Sequence, residues 1–326
     1  MHPLISVIIP TSNRPTYLRR AVESALKGMA INDVEVIVVP NGPDTSWKET
    51  LQPYLESKTV RILPIETANA NIARNKGLTE AKGKYVRFLD DDDYLISENA
   101  IKQYTLIQQI DADIVSGGIT LVDEHGKDLA IRMQPLTEDF CTALLGPRRI
   151  CIPLVHIYRR SILKDLEWNP FTTIRQDVEW QLNLCAQSEL KWAKIDEVVG
   201  AWQQHWGQRI STSKCFQEAQ EETVEMFLRL YKELESQKRL NTNRKNALAK
   251  GLWGCIHRTF MLKPSYWTSI AQVAKNIDPT ARPIQPIYNF PYLRKVDPLI
   301  FQWFFLPKRL FSKKYRTLLK RFCLKH

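Results

Sequence analysis

Residues 71–95 read NIARNKGLTEAKGKYVRFLDDDDYL, and this stretch decides the fold. Its first part carries apolar residues at helical spacing, and its second part is the short apolar run YVRFL, which ends at four consecutive aspartates. A helix that leads into a short apolar strand is typical of a parallel βαβ unit. The sequence therefore predicts an α/β fold in which residues 90–93 directly follow the carboxyl end of a strand.

The same alternation of strands and helices extends outward from this stretch, from residue 4 to about residue 117. Residues 14–26 and 69–81 each place an apolar stripe on one face of a helix, so each helix is expected to cover one face of the sheet. Short apolar runs predict parallel strands at 4–9, 34–39, 60–63, 84–89 and 112–118.

Four predicted loops meet at the carboxyl edge of this sheet, where strand-to-helix connections and helix N-termini gather. Ligand sites of open parallel sheets lie outside that edge. The loops are residues 10–14, residues 40–46, the approach to Asn69, and residues 90–93.

Beyond residue 117 the pattern changes, which predicts a mixed second half of the same domain. Residues 119–133 indicate a hairpin around His125 and Gly126, residues 153–160 a further strand, and residues 175–188 a helix. We predict a catalytic domain over 1–210, a helical extension over 211–263, and a Pro-rich linker with a basic aromatic tail over 264–326.

The charge of the chain is concentrated at its end. The formal net charge is +11, and residues 294–326 hold ten Lys or Arg against the single Asp297. Such an asymmetry argues against a nucleic-acid-binding enzyme and for a tail that meets an acidic surface. Residues 299–322 interleave aromatic and cationic residues, as a helix on an anionic membrane surface requires; the alternative is an element docked on the body with its cations outward.

The remaining composition indicates a globular protein. Six scattered cysteines without a CxxC pair suit buried thiols in a reducing compartment. No signal-peptide pattern or long apolar run is seen, so we expect a cytoplasmic location, peripheral to the inner face of the plasma membrane if the tail binds lipid.

The aspartates at 90–93 would repel one another if all were ionised, so they require a nearby cation or helix N-terminus. Hard oxygen ligands suit Mg²⁺ or Mn²⁺, which bind through one or two carboxylates together with substrate phosphates. An isolated acidic run more often caps a helix or forms a solvated turn, but its position at the end of a strand favours the metal.

Three further side chains allow a functional and a structural interpretation. Arg74 either binds a diphosphate or the acidic loop, or pairs with Glu80 or Glu66 on the surface. Asp177 is either a general base or a helix cap. His205, between two tryptophans, either ligates a metal or is a packed, hydrogen-bonded residue.

Residues 5–24, 34–42, 71–95 and 176–182, taken together, resemble the family 2 glycosyltransferases of GT-A fold, many of which build bacterial surface polysaccharides. The resemblance implies a Rossmann-like nucleotide half, a mixed acceptor half and an inverting transfer with Mn²⁺ or Mg²⁺. It implies a donor site made by Pro10, Thr11, Asn13, Arg14, Asn41, Arg74, Asp90, Asp91 and Asp92.

The same resemblance implies roles in catalysis. The DxD motif of the family falls on residues 90–93, with Asp92 and Asp93 the preferred pair and Asp90 the alternative first member. Asp177 falls on the catalytic base, and His205 falls near a metal-site or diphosphate histidine.

Two departures from the family pattern concern the donor and the base. Asn41 follows Pro40 where relatives have an acidic pair, so it can hydrogen-bond a base edge but cannot act as a charged acceptor, and a UDP-sugar is the favoured donor. Gln176 replaces a usual Glu, so less is expected to raise the pKa of Asp177. The acceptor is expected to be a glycan or a lipid-linked hydroxyl. The rival interpretations are a non-catalytic nucleotide-sugar-binding scaffold and a sugar nucleotidyltransferase, although residues 11–15 lack the Gly-rich, Lys-containing phosphate loop of the latter.

Overall fold

The structure, a computed structural model, divides the chain into two compact units. The first comprises residues 1–144 and 149–211, and the second comprises residues 145–148 and 212–326. The residues whose positions it describes are 3–30, 32–57, 59–204 and 216–311.

The first unit is built around one mixed sheet, whose strands follow the order β3-β2-β1-β4-β8-β6-β9-β5, with β7 paired to β6. Strands β1 to β4 run parallel to one another. The strands are β1 (Ile5–Thr11), β2 (Val34–Pro40), β3 (Val60–Ile62), β4 (Tyr85–Phe88), β5 (Tyr94–Leu95), β6 (Ile114–Val122), β7 (Asp128–Arg132), β8 (His156–Arg159) and β9 (Trp192–Gln203).

Helices flank this sheet, and every residue of β1 and β2 is buried, as expected for parallel strands covered on both faces. The four cysteines in the described ranges are buried and unbridged. The helices of the first unit are α1 (Pro15–Leu26), α2 (Trp47–Leu51), α3 (Ala70–Glu80), α4 (Ser97–Gln109), α5 (Phe140–Leu145) and α6 (Gln176–Gln187).

The parallel pattern predicted from the sequence is confirmed for β1 to β4. The last strand of the predicted parallel series, β6, does not pair with β4. β8 lies between β4 and β6 and is antiparallel to both. β6 therefore runs in the direction of β4 without pairing to it, and it pairs instead with the later strand β9. The predicted hairpin is the antiparallel pair β6 and β7.

The buried face of α3 differs from the predicted apolar stripe. Its buried residues are Asn71, Ala73, Arg74 and Gly77, whereas Ile72 and Leu78 are only partly buried. A Cβ atom at Gly77 would lie 2.4 Å from Cγ2 of Ile8 in β1. The close approach of helix and strand thus turns the polar side chains of α3 inward, at the carboxyl edge of the sheet.

The second unit is helical and contains α7 (Phe216–Ser236), α8 (Thr242–Thr259), α9 (Pro264–Ile277) and α10 (Pro298–Phe304). α8 contacts both α7 and α9, and it buries Leu252 and Trp253 completely. The expectation of an irregular linker is wrong for residues 264–277, because Pro264 occupies the first turn of α9, where proline starts a helix rather than breaking it. None of the helices in the described residues is long and apolar enough to cross a membrane.

We expect Gly77→Ala to destabilise the protein, although alanine normally favours a helix over glycine by about 1 kcal/mol. The new methyl group would press against the buried Ile8 side chain, and overpacking of this kind costs about 1–3 kcal/mol. The free energy of unfolding from a denaturant titration is the measurement. Thr79→Ala, on an exposed position of the same helix, is the control and should stay within about 0.5 kcal/mol of the wild type. An unchanged Gly77→Ala stability would contradict the packing described.

Candidate active site

The acidic run at residues 90–93 alternates between accessible and buried side chains. The Asp90 side chain is 35% exposed and that of Asp92 is 15% exposed, whereas the Asp91 side chain is 6% exposed. Asp93 is 2% exposed. The run therefore presents two carboxylates outward, Asp90 and Asp92, and uses the other two inside the protein.

Arg14, directly before the first residue of α1, neutralises the centre of the run. Its Nη1 lies 3.1 Å from Oδ1 of Asp91 and 2.6 Å from Oδ2 of Asp92. Thr11, the last residue of β1, donates its hydroxyl hydrogen to Oδ2 of Asp91 over 2.7 Å. Asn13 has a φ of 57°, a left-handed conformation that turns the chain sharply between these two residues. The loop after β1 is thus joined to the loop after β4.

Arg74 neutralises the beginning of the run from α3. Its Nη2 donates to Oδ1 of Asp90 over 2.6 Å, and its Nη1 donates to Oδ1 of Asn71 over 3.0 Å and to Oε1 of Gln176 over 3.3 Å. The guanidinium carbon lies 4.6 Å from the centre of the Trp168 ring, so the aromatic face also supports the charge. Of the two interpretations of Arg74, the structure shows the one in which it holds the acidic loop.

Three asparagines of α3 and its cap hold the segment on which Arg74 rests, and the sequence did not single them out for this role. Asn75 exchanges hydrogen bonds with the backbone of Trp168, donating over 2.8 Å and accepting over 2.7 Å. Asn71 donates to the Asn169 carbonyl over 2.6 Å, and Asn69 donates to the Pro170 carbonyl over 2.9 Å. The sequence shows these asparagines only as amide residues spaced along the polar side of a helix. Many surface helices have the same pattern, so it does not identify this role.

Asp93 anchors the end of β9 rather than facing the open edge. Its Oδ1 accepts the backbone N–H of Gln203 over 2.9 Å. Arg20 donates to the Asp92 carbonyl oxygen over 2.9 Å and stacks on Tyr94, with 4.2 Å from its guanidinium carbon to the ring centre. Of the preferred pair Asp92 and Asp93, only Asp92 is therefore accessible to a ligand.

Burial raises the pKa of Asp91 to about 7, against the opposing charge of Arg14, and the negative charges of Asp92 and Asp90 add to the rise. Asp91 is enclosed by Thr11 and Arg14. Its carboxyl group is therefore a structural partner of the loop after β1 rather than an exposed ligand.

Asp177 begins α6 within electrostatic reach of the acidic run. Its pKa is raised, mainly by burial, while the negative charge of Asp90 adds to the rise and the positive charges of Arg175 and Arg74 oppose it. Arg175, directly before α6, has a left-handed φ of 57°. Gln176 supplies no like charge here, as the sequence indicated, and burial is the main cause that raises this pKa.

The other predicted donor residues lie at the same edge in different roles. Pro10 is a buried residue of β1 opposite Val39. Asn41 is 6% exposed and donates its Nδ2 hydrogen to the Thr11 carbonyl over 2.9 Å, so its amide already bonds the backbone. Asn13 is exposed, and His205 lies outside the described residues.

The carboxylates of the acidic run suit a divalent cation only if a bound ligand supplies further oxygen atoms. Within the described part of the chain, no group of three or more His, Cys, Asp or Glu side chains is arranged to hold a metal ion. Mg²⁺ and Mn²⁺ nevertheless bind commonly through one or two carboxylates and complete their shell with phosphate oxygens and water. Asp90 and Asp92, both partly exposed, satisfy that smaller requirement.

Residues 6–167 match the sequence model described as glycosyl transferase family 2. The chain carries a family 2 glycosyltransferase domain. The resemblance read from the sequence is confirmed, and the matched residues include Arg14, Arg74 and the whole acidic run.

Relatives of this glycosyltransferase domain match part of their own length. Glycosyltransferase GlyG of Streptococcus pneumoniae serotype 4 is 33% identical over 153 residues, 46% of this chain and 50% of GlyG. An uncharacterized glycosyltransferase of Rickettsia bellii is 32% identical over 130 residues, 39% of this chain and 19% of that protein. The chain thus spans half of the first relative and about a fifth of the second.

A solved structure resembles the chain over nearly its whole length. S. aureus TarS 1-349 in complex with UDP-GlcNAc has a TM-score of 0.70 at 18% identity, covering 96% of this chain and 91% of that chain. The same TarS fragment in complex with UDP has a TM-score of 0.66. The likeness shows that the glycosyltransferase has a GT-A-like fold, as the sequence predicted.

Proposed function

We propose that this chain is an inverting glycosyltransferase that moves a sugar from a nucleoside diphosphate to a hydroxyl group of a glycan or a lipid-linked acceptor. The observation that carries the proposal is the juxtaposition of Arg14, Arg74, Asp90 and Asp92 at the carboxyl edge of the sheet, with Asp177 within electrostatic reach. Cell-surface polysaccharide synthesis is the setting we propose, since the family resemblance implies it.

Donor binding would use the groups that hold the acidic run. Arg14 and Arg74 present guanidinium groups, which bind phosphate oxygens in a fixed fork. Asp90 and Asp92 are the pair that we propose as the metal-binding DxD residues, since Asp93 is committed to the Gln203 backbone. A bound Mg²⁺ or Mn²⁺ would stabilise the negative charge on the diphosphate.

Acceptor activation is the role that we propose for Asp177. Its carboxylate takes the proton of the acceptor hydroxyl as that oxygen forms a bond to the anomeric carbon, while the bond from that carbon to the diphosphate oxygen breaks. The raised pKa of Asp177 strengthens the carboxylate as a base relative to an exposed aspartate. Attack from the side opposite to the leaving group inverts the anomeric carbon.

Binding of the donor nucleotide is expected to need the accessible aspartates. UDP, GDP, dTDP and CMP are each added with and without Mn²⁺ and the melting temperature is recorded, with UDP tested first because TarS was solved with it. A ligand at 100 times its Kd raises the free energy of unfolding by about 2.7 kcal/mol. We expect one nucleoside diphosphate to stabilise the wild type in a metal-dependent way, and Asp92→Asn or Asp90→Asn to lose the metal-dependent part.

The control for this screen is Asp33→Asn, an exposed aspartate that precedes β2 at the opposite edge of the sheet. It should respond like the wild type. Stabilisation of the Asp92→Asn and Asp90→Asn variants equal to that of the wild type would contradict the proposed metal pair. No response of the wild type to any nucleotide would contradict the proposed donor site.

Catalysis is expected to depend on Asp177. Asp177→Asn should lower the rate of donor hydrolysis, in which water serves as the acceptor, by about 10²- to 10⁴-fold. Because the folded protein holds the proton of Asp177 to a higher pH than usual, activity should fall on the acidic side of the pH profile at a pH above the ordinary Asp pKa of about 3.9.

The thermal shift with the donor nucleotide serves as the control, and Asp177→Asn should retain it. A variant that binds the nucleotide and hydrolyses the donor at the wild-type rate would remove Asp177 as the base. A wild type that binds the nucleotide without any transfer or hydrolysis would favour the scaffold alternative. Pyrophosphate exchange would favour the nucleotidyltransferase.

Attachment to an anionic membrane is the second part of the proposal, and it rests on the second unit. Ile300 and Phe304 of α10 are 59% and 73% exposed, and Phe311 is 73% exposed near the exposed Lys308. Another side of the same segment is packed: Gln302 is 1% exposed, and the ring of Trp303 contacts Phe260 edge-on with ring centres 5.3 Å apart. The element is thus docked and still presents apolar side chains outward, so the two interpretations of the tail are compatible.

Truncation of this segment would also remove its packed side chains, so substitution of the exposed residues is the better test of membrane binding. We expect the double variant Phe304→Ser and Phe311→Ser to lose binding to vesicles with anionic lipid by about tenfold or more, because each change removes apolar area from the interface. Co-sedimentation measures it. The control is the double variant Leu129→Ser and Ile131→Ser, which removes exposed apolar residues from β7. Equal vesicle binding by all three proteins would rule out this attachment.

A further inference from the structure

A cleft of about 550 Å³ lies within the second unit, in the size range of small-molecule sites. Its walls come from residues 145–148, from α8 and from the loop after α9. Three of its lining residues are cationic: Arg148, Lys250 and Arg282. The described residues that line it include no carboxylate.

Two of the three cations of the cleft have no carboxylate partner among the described residues. Arg148 is exposed and Lys250 is partly exposed, and neither forms an ion pair or a side-chain hydrogen bond with any described residue. Arg282 is held in place by backbone oxygens, since its Nη1 donates to the carbonyls of Pro279 over 2.8 Å and of Ala281 over 3.0 Å. The lining therefore carries a net positive charge, and Arg148 and Lys250 are the cations open to a ligand.

The nearby acidic groups are already bonded. Asp278 accepts from the Thr280 hydroxyl over 2.6 Å and from Nδ2 of Asn246 over 2.7 Å, which fixes two lining residues instead of neutralising the cations. Asp297 pairs with Lys275 over 2.9 Å. Asp278 thus holds two lining residues in place, and the charge of Asp297 acts on both Lys275 and Arg282. Neither carboxylate pairs with Arg148 or Lys250.

The remaining lining offers hydrogen bonds and an aromatic ring. Tyr288 is 4% exposed, and its hydroxyl donates to the Pro298 carbonyl over 3.4 Å, so the ring is fixed. The Thr280 hydroxyl and the Asn246 amide lie on the same lining. Several cations with adjacent polar groups suit a ligand that has more than one anionic oxygen, and both Arg and Lys bind phosphate oxygens strongly.

We propose that this cleft binds the phosphate groups of a phosphate ester or a diphosphate, through Arg148, Lys250 and Arg282. The site is separate from the donor site of the first unit and does not rest on the proposed transfer reaction. Two kinds of ligand carry such phosphate groups: a soluble phosphate ester and the headgroup of a lipid.

The test uses the full chain and pyrophosphate as the probe, in buffer with EDTA, so that any metal-dependent binding at the donor site is suppressed. Isothermal titration compares the wild type with Lys250→Gln and with Lys245→Gln. Lys245 lies on the same helix but outside the cleft lining, so it matches the change in charge. We expect Lys250→Gln to weaken the binding of pyrophosphate about tenfold and Lys245→Gln to leave it unchanged. The loss of one charge-assisted contact explains the size of the effect.

Equal affinity for pyrophosphate in all three proteins would overturn the proposal. Binding of UDP with Mn²⁺, measured on the same variants, shows whether the donor site is intact and separates failure here from failure of the proposed reaction. Vesicles that contain phosphatidic acid identify the source: if Lys250→Gln also weakens vesicle binding, the ligand is a lipid headgroup. If only pyrophosphate binding weakens, the ligand is a soluble phosphate ester.

Discussion

The first unit depends on the neutralisation of one short acidic run by two arginines, one directly before α1 and one in α3. Four consecutive aspartates at the end of a strand would repel one another, yet Arg14 contacts Asp91 and Asp92, and Arg74 contacts Asp90. Because Arg14 lies in the loop after β1 and Arg74 lies in α3, the ion pairs also fix the loops that follow β1 and β4. A metal is therefore not needed to hold the run in its folded shape. A nearby cation is required on charge grounds, and the protein supplies it.

The positions of the two arginines follow from the burial of the sheet. The fully buried β1 ends at Thr11, so the chain leaves the core at the point where Thr11 and Arg14 reach Asp91. Arg74 faces inward because Gly77, one turn later in α3, lets the helix approach Ile8 of β1. The Trp168 ring then covers one face of the guanidinium group, which an exposed arginine would leave to water. Packing in the core thereby sets the geometry of the charged groups.

Local patterns in the sequence predicted the parallel strands, the loops at their carboxyl edge and the acidic run, because each of these follows from the spacing of apolar residues within about 25 positions. The insertion of β8 between β4 and β6 was not predictable in this way, since the pairing joins residues far apart in the chain. The same reason applies to Asn75 with Trp168, which are separated by 93 positions, and to Asp93 with Gln203, separated by 110. The assignment of Asp93 to the metal pair missed this long-range contact, which the run of identical residues does not reveal.

The ion pairs also bear on how the proposed donor would bind. A nucleoside diphosphate is negatively charged and its divalent cation is positively charged. The ion pairs of the ligand-free protein contain a complementary group for each of them. Asp90 and Asp92 would exchange an arginine for the cation, while Arg14 and Arg74 would exchange a carboxylate for phosphate oxygens. Such an exchange conserves the number of charge-assisted contacts, so the net electrostatic gain on binding is smaller than the sum of the new contacts. Specificity for the donor would then arise from the simultaneous fit of metal and diphosphate, because either one alone would leave an aspartate or an arginine without its partner.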